Sequence, residues 1–173
     1  KRRNFIRYAD DFVMTGRTAE DLRLVQKDIE KFLNIRGLEL SKEKTHITNI
    51  RDGFDFLGFN FRKYPNDKVI VTPTKDGIKS FKSKIKEIFK KYNSSSLTML
   101  ITKLNPLLRG WANYYRFVNS KVIFSKLDSY IWRKSLNWMK RIHQRRETKK
   151  YYKQYFKPFP NYKSDVLSDG RQF

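Results

Sequence analysis

The sequence predicts an α+β segment followed by an all-helical bundle. Three observations carry that expectation. Up to residue 73, short apolar runs bounded by turn residues flank a single stretch of helical spacing. From Thr74 onward the apolar residues recur every three or four positions, through Ile142. The charge shifts at the same place: residues 1–75 hold 16 basic and 11 acidic residues, a net of +5, and residues 76–173 hold 23 and 6, a net of +17. We therefore expect modules over 1–73 and 74–146, with a basic aromatic tail over 147–173.

In order, Phe5 to Ala9 reads as a short strand, Asp10-Asp11 as its turn and Phe12 to Met14 as the return strand. Thr18 is a good helix cap, with Asp21 three residues on. Leu22, Val25, Ile29, Phe32 and Leu33 then mark one helical face, which Gly37 ends. Leu38 to Leu40 and Thr45 to Ile50 read as strands or an extended crossing. Phe54 to Arg62 reads as a further strand, and Tyr64 to Asp67, with Pro65, as a turn into Val69-Ile70-Val71. Ile78, Phe81, Ile85, Ile88, Phe89 and Tyr92 define a Lys-rich amphipathic helix. Ser96 is placed to cap the next helix, lined by Leu97, Leu100, Ile101 and Leu104. Asn105-Pro106 reads as a restart, Asn as cap and Pro at the first position. Ser120 opens a fourth helix carrying Phe124, Leu127, Ile131, Trp138 and Ile142. Residues 147–173 show no clear period.

Composition narrows the function. The 173 residues carry 39 Lys and Arg against 17 Asp and Glu, a formal charge of +22, with no cysteine. That excludes a disulfide framework, a thiolate zinc site and a cysteine nucleophile. No apolar run reaches the roughly 18 residues of a membrane span, so no membrane partner is expected. Lys1 to Asn4 lead into an apolar stretch that breaks at Arg7, unlike a secretory leader. A polyanion is the simplest partner for such a chain, nucleic acid first.

The carboxylates of the first segment need a separate account. Asp10 and Asp11 are adjacent in a turn between apolar strands, where like charges repel. A divalent cation removes that penalty, and Mg²⁺ often takes only one or two carboxylates plus substrate phosphates. On the dipeptide alone, an ordinary solvated turn is the simpler reading.

The surroundings change the balance. Tyr8-Ala9-Asp10-Asp11 resembles the catalytic hairpin of reverse transcriptases. Leu40-Ser41-Lys42-Glu43-Lys44-Thr45 resembles the palm segment whose lysine lies near the incoming nucleotide's phosphates. Phe54-Asp55-Phe56-Leu57-Gly58-Phe59 resembles the primer-grip hairpin. Leu104 through Arg116 resembles the start of the thumb, or maturase domain X, of group II intron-encoded proteins, and Leu127 to Arg133 with Trp138, Lys140, Arg141 and His143 resembles its remainder. Four motifs in the required order make the resemblance strong. It covers roughly residues 1–160 and points to a group II intron reverse transcriptase/maturase.

The resemblance implies a partial palm of antiparallel strands plus a helix, followed by a helical thumb. It implies template-directed nucleotidyl transfer with two Mg²⁺ ions, and as partners intron RNA, an RNA or DNA template-primer and deoxynucleotides. Asp10 and Asp11 would be the metal-binding catalytic carboxylates. Lys44 would be a phosphate clamp or general acid, a plain surface lysine being an equal alternative. Tyr8 and Ala9 would border the primer terminus and nucleotide. Phe56, Leu57, Gly58 and Phe59 would hold the primer, although the phenylalanines also suit ordinary core. Glycine inside a strand marks close backbone approach, which makes Gly58 the more telling residue.

Arg109, Arg116, Arg133, Lys140, Arg141, Arg145 and Arg146 are the expected RNA contacts, whereas Trp111, Tyr115 and Trp138 sit at core spacing. In the family, fingers and the first half of the palm precede the acidic turn and supply a third metal-binding aspartate. This chain starts just before the hairpin, so we expect a fragment inactive alone, with a chain carrying the missing half as a candidate partner. The location implied is bacterial cytoplasm or an organelle, without secretion. Two alternatives stand: a non-catalytic RNA-binding splicing cofactor, and another lineage such as a diversity-generating or CRISPR-associated reverse transcriptase.

Overall fold

The computed structural model describes residues 3–143, 148–157 and 166–167. The chain is mixed α+β and divides into two units between Val69 and Ile70.

In the first unit, β1 (Asn4–Tyr8) and β2 (Asp11–Thr15) pair antiparallel with Tyr8 opposite Asp11. That register leaves Ala9 and Asp10 as a two-residue turn. The sequence places the turn at Asp10-Asp11; the structure moves it back by one residue, and Asp11 opens the return strand. The cause is local. Ala9 takes a φ of 53°, a conformation usually left to Gly, Asn or Asp, so the sequence does not advertise it. Arg7 Nε donates to the Ala9 carbonyl at 2.7 Å and holds the turn.

α1 (Ala19–Asn34) starts where the cap predicts: Thr18 Oγ1 accepts from the Asp21 amide at 3.1 Å. Arg3 pairs with Asp21 at 3.3 Å, fastening the approach to β1 onto the helix start. Residues 38–53 form no strand. The chain crosses between two turns, one closed by the Thr45 amide on the Ser41 carbonyl at 2.9 Å, the other by the Asp52 amide on the Asn49 carbonyl at 2.9 Å.

The strand expected over 54–62 is two strands. β3 (Phe54–Phe56) and β4 (Phe59–Lys63) form a hairpin in which Phe56 faces Phe59. Leu57 and Gly58 both have positive φ, 50° and 77°, as a two-residue hairpin turn with strand-matching twist requires. Leu-Gly lacks the Asn-Gly signature, which is why the turn reads as strand. The next turn forms as expected: the Tyr64 amide donates to the Lys68 carbonyl at 2.9 Å, and Lys63 bonds Asp67 at 2.9 Å, holding that carboxyl below its ordinary range. β5 (Val69–Pro73) follows.

The second unit holds α2 (Lys75–Lys91), α3 (Leu97–Tyr115), α4 (Lys121–Ile142), α5 (Thr148–Tyr155) and a short antiparallel pair, β6 (Phe156–Lys157) with β7 (Val166–Leu167). Ser96 caps α3 as expected, accepting from the Met99 amide at 3.4 Å, and Thr74, where the helical period begins, caps α2 by accepting from the Gly77 amide at 3.0 Å. Phe81, Ile85 and Phe89 of α2 meet Leu100, Ile101 and Leu104 of α3 and Leu127, Trp138 and Met139 of α4 in one buried cluster. Each such side chain contributes about 1.5–3 kcal/mol by leaving water.

Two expectations are corrected here, and one at the α3–α4 corner holds. Asn105-Pro106 does not restart a helix, because α3 runs through Pro106. The apolar stripe of Leu100, Leu104, Leu107, Leu108 and Trp111 continues across the proline, and packing of that stripe outweighs the lost backbone hydrogen bond. Ser120 opens α4 as expected, and its hydroxyl donates to the Tyr115 carbonyl at 2.8 Å, closing the α3–α4 corner. Residues 148–157 are not a structureless tail: Phe156, 3% exposed, lies in the core cluster, with Tyr151, Tyr152 and Tyr155 packed against it.

Candidate functional site

Asp10 stands on the β1–β2 turn, and Asp11 begins the return strand beside it. Both are exposed, as are Tyr8 and Ala9. No hydrogen bond or ion pair engages either carboxylate among the described residues. They are hard oxygen donors on a pedestal fixed by the Arg7–Ala9 contact. Such a pair fits Mg²⁺ held jointly with substrate phosphates. Among the described residues, no third Asp, Glu, His or Cys joins them in a metal-binding group.

Lys44 is exposed and follows the Ser41 turn, its amide donating to the Ser41 carbonyl at 3.2 Å. No contact joins it to Asp10 or Asp11. Phe56, Leu57, Gly58 and Phe59 form the tip of the β3–β4 hairpin and are half-buried. Phe54 and Phe61 stack at 5.3 Å behind that tip, and the Arg62 guanidinium donates to the Arg51 carbonyl at 3.0 Å, so the hairpin is braced by the crossing segment.

In the helical unit Trp111, Tyr115 and Trp138 turn inward, whereas Tyr114, Phe117 and Trp132 stay exposed among the cations. Trp111 stacks on Phe81 at 4.7 Å, and Tyr115 and Trp138 are buried, so these three serve packing. Burial raises the Tyr115 hydroxyl above its ordinary pKa, with Tyr114 beside it adding to the effect. Arg109 and Arg116 are exposed on α3 and at its end, with Arg116 4.4 Å over the Phe117 ring. Arg133, Lys140 and Arg141 are exposed on α4, Arg133 and Lys140 in line on one face at a spacing of seven. Arg145 and Arg146 lie outside the described residues. His143 stacks on Tyr151 at 3.4 Å and bonds the Tyr155 hydroxyl at 3.0 Å, joining α4 to α5. Burial and Tyr151 raise the Tyr155 hydroxyl above its ordinary pKa.

One group escaped the sequence reading. Lys75, Lys79, Lys82 and Lys86 line a groove between α2 and Tyr130 of α4. Their spacing of four, three and four was the available signal.

Comparison with known families agrees with this division. A model described as reverse transcriptase (RNA-dependent DNA polymerase) matches residues 1–61. A model of the group II intron, maturase-specific domain matches residues 78–156. Group II intron-encoded protein LtrA of Lactococcus lactis subsp. cremoris is 26% identical over 168 residues, covering 80% of this chain and 28% of that protein. Ribosomal operon-associated A protein of Euglena longa is 28% identical over 134 residues, covering 74% and 25%. Maturase-like protein 1 of Euglena gracilis is 24% identical over 116 residues, covering 66% and 25%. The chain thus spans about a quarter of the length of these curated relatives. With a reverse transcriptase match followed in order by a maturase-domain match, the chain belongs to the group II intron reverse transcriptase/maturase family.

Proposed function

We propose that this chain is the catalytic-turn end of a palm and the thumb of an RNA-directed DNA polymerase that also binds its intron RNA as a maturase. The observation that carries the reading is the β1–β2 hairpin, which presents Asp10 and Asp11 on an exposed, braced turn inside the reverse transcriptase match.

Asp10 and Asp11 would hold Mg²⁺ together with substrate phosphates. Bound there, the ion supplies electrostatic stabilisation of the attacking and leaving oxygens in nucleotidyl transfer. Tyr8 and Ala9 border the place where primer end and nucleotide meet. Lys44 brings a cation to the phosphates, or a proton to the departing pyrophosphate. The Phe56–Phe59 tip steadies the primer strand. Arg109, Arg116, Arg133, Lys140 and Arg141 meet RNA phosphates, and their exposure, without ion pairing among the described residues, supports that role. In the longer relatives, further polypeptide would supply the third carboxylate. It would also cover the apolar residues exposed on the hairpin and α1, among them Phe5, Ile6, Leu24 and Phe32.

A second reading, an RNA-binding splicing cofactor without chemistry, has one observation in its favour. The helical unit has the core and the larger cation excess, while Val25 is the sole buried residue among the described residues of the first unit.

One experiment separates the two. Asp10→Asn with Asp11→Asn, introduced into a full-length protein carrying this segment, should lower primer extension by at least about 10²-fold. Intron RNA binding should persist. Primer extension unchanged by the double substitution would refute the polymerase assignment. Splicing assistance that survives the loss of extension would show that binding is separable from chemistry.

A further inference from the structure

We infer that the groove between α2 and Tyr130 is a phosphodiester-binding track, taking several consecutive phosphates of one nucleic-acid strand. This rests on the nucleic-acid-binding reading above and names a surface for it that the arginines of α3 and α4 do not include.

Lys75, Lys79, Lys82 and Lys86, with Ser83 and Tyr130, line an open groove of about 330 Å³. No carboxylate lines it: Asp76 and Glu87 of α2 and Asp128 of α4 are absent from the lining. None of the four lysines is ion-paired among the described residues. Lys82 Nζ lies 5.6 Å from the Tyr130 ring and Lys134 Nζ 5.5 Å from it, so a fifth cation converges on the same aromatic. The Tyr130 hydroxyl donates to the Lys82 carbonyl at 3.4 Å, which sets the ring against α2.

Stability does not account for this arrangement. Like charges three or four residues apart on a helix cost roughly 0.2–0.5 kcal/mol per pair. An anion placed along the groove reverses the sign of that interaction. Its required length follows from helix geometry: at 1.5 Å per residue, Lys75 and Lys86 stand about 16 Å apart along the axis. One phosphate cannot satisfy cations spread over that distance, whereas successive phosphates of a strand can. Ser83 adds a hydroxyl donor, and Tyr130 an aromatic body beside the cations.

The test removes equal charge from opposite faces of α2. Lys79→Gln with Lys86→Gln strips the groove. Lys84→Gln with Lys91→Gln strips the far side, since each is about 180–200° around the helix from Lys82 at 100° per residue. Affinity for a structured group II intron RNA and for an RNA–DNA primer-template duplex is measured on the full chain across a salt series. Circular dichroism confirms that each variant is helical.

We expect the groove pair to lower the slope of log K against log salt by about 1.5 to 2 on at least one polymer, and the far-side pair to change it by less than about 0.5. The polymer showing the larger loss identifies the strand that occupies the groove. Lys79→Arg with Lys86→Arg should keep the wild-type slope. Equal losses from the two faces would overturn the track while leaving nucleic-acid binding intact. Displacement of the RNA by polyglutamate at matched charge would also overturn it, in favour of an acidic polypeptide. A wild-type chain that bound neither polymer would instead remove the reading on which the track rests.

Discussion

The Trp138 indole nitrogen donates to the Tyr92 carbonyl at 2.9 Å, so a residue deep in α4 closes the C-terminal end of α2. Trp138 is 4% exposed. Its replacement therefore leaves a carbonyl short of a partner as well as a smaller ring. Trp138→Phe should destabilise the helical unit by about 1–3 kcal/mol, chiefly through the unsatisfied carbonyl. Urea unfolding followed by far-UV circular dichroism measures this, and an unshifted midpoint would mean that the bond contributes nothing.

Ala9 carries a backbone strain that glycine would not. With φ at 53°, an alanine gives up roughly 1–2 kcal/mol relative to its preferred conformations. Ala9→Gly should slow amide exchange in β1 and β2, and Ala9→Val, with a β-branched side chain at the same φ, should speed it. The opposite ordering would place the turn elsewhere.

Gly77 is set by packing rather than by φ. A Cβ there would stand 2.9 Å from Thr74 Oγ1 and 3.2 Å from the Tyr115 hydroxyl. Alanine would gain about 1 kcal/mol of helix propensity. It would displace the hydroxyl that caps α2, worth about 1 kcal/mol, and crowd the Tyr115 hydroxyl as well. Gly77→Ala should thus lower Tm in spite of its propensity, and a higher Tm would show that the corner has slack.

Asp128 titrates against stability. Partial burial raises its carboxyl pKa above the ordinary value of 3.8. The folded state then holds the proton more tightly than the unfolded state. The group's contribution to stability is complete below pH 3.8 and is lost as pH rises through the raised value. Asp128→Asn should raise Tm modestly at pH 7 and leave it unchanged near pH 3. A Tm difference that stayed constant across that range would contradict this account of Asp128.

Much of this was legible in the residues themselves. Thr18 and Ser96 announced two helix starts as caps, the change of period at Thr74 announced a third, and all three cap by side chain. The stripe from Phe81 to Phe89 and that from Leu97 to Leu104 marked the core faces of α2 and α3. The misses share a cause: tertiary context overrode a local rule. Ala9 and Leu57 occupy turn positions that favour other residues, and Pro106 sits inside a helix held by its buried face. Residues 148–157 had no visible period because α5 is short and its burial depends on α4. The lysine groove needed Tyr130 of a distant helix to become a groove at all.

Binding of this chain to a structured group II intron RNA across a salt series tests the central claim most directly. Unrelated structured RNA and duplex DNA run beside it. A surface making 6–10 phosphate contacts should lose about 10³–10⁵ in affinity between 50 and 200 mM salt. The account expects such a loss, together with a preference for intron RNA that survives at the upper end. Equal and wholly salt-sensitive binding to every polyanion would contradict it, leaving a basic surface with no maturase specificity in this chain.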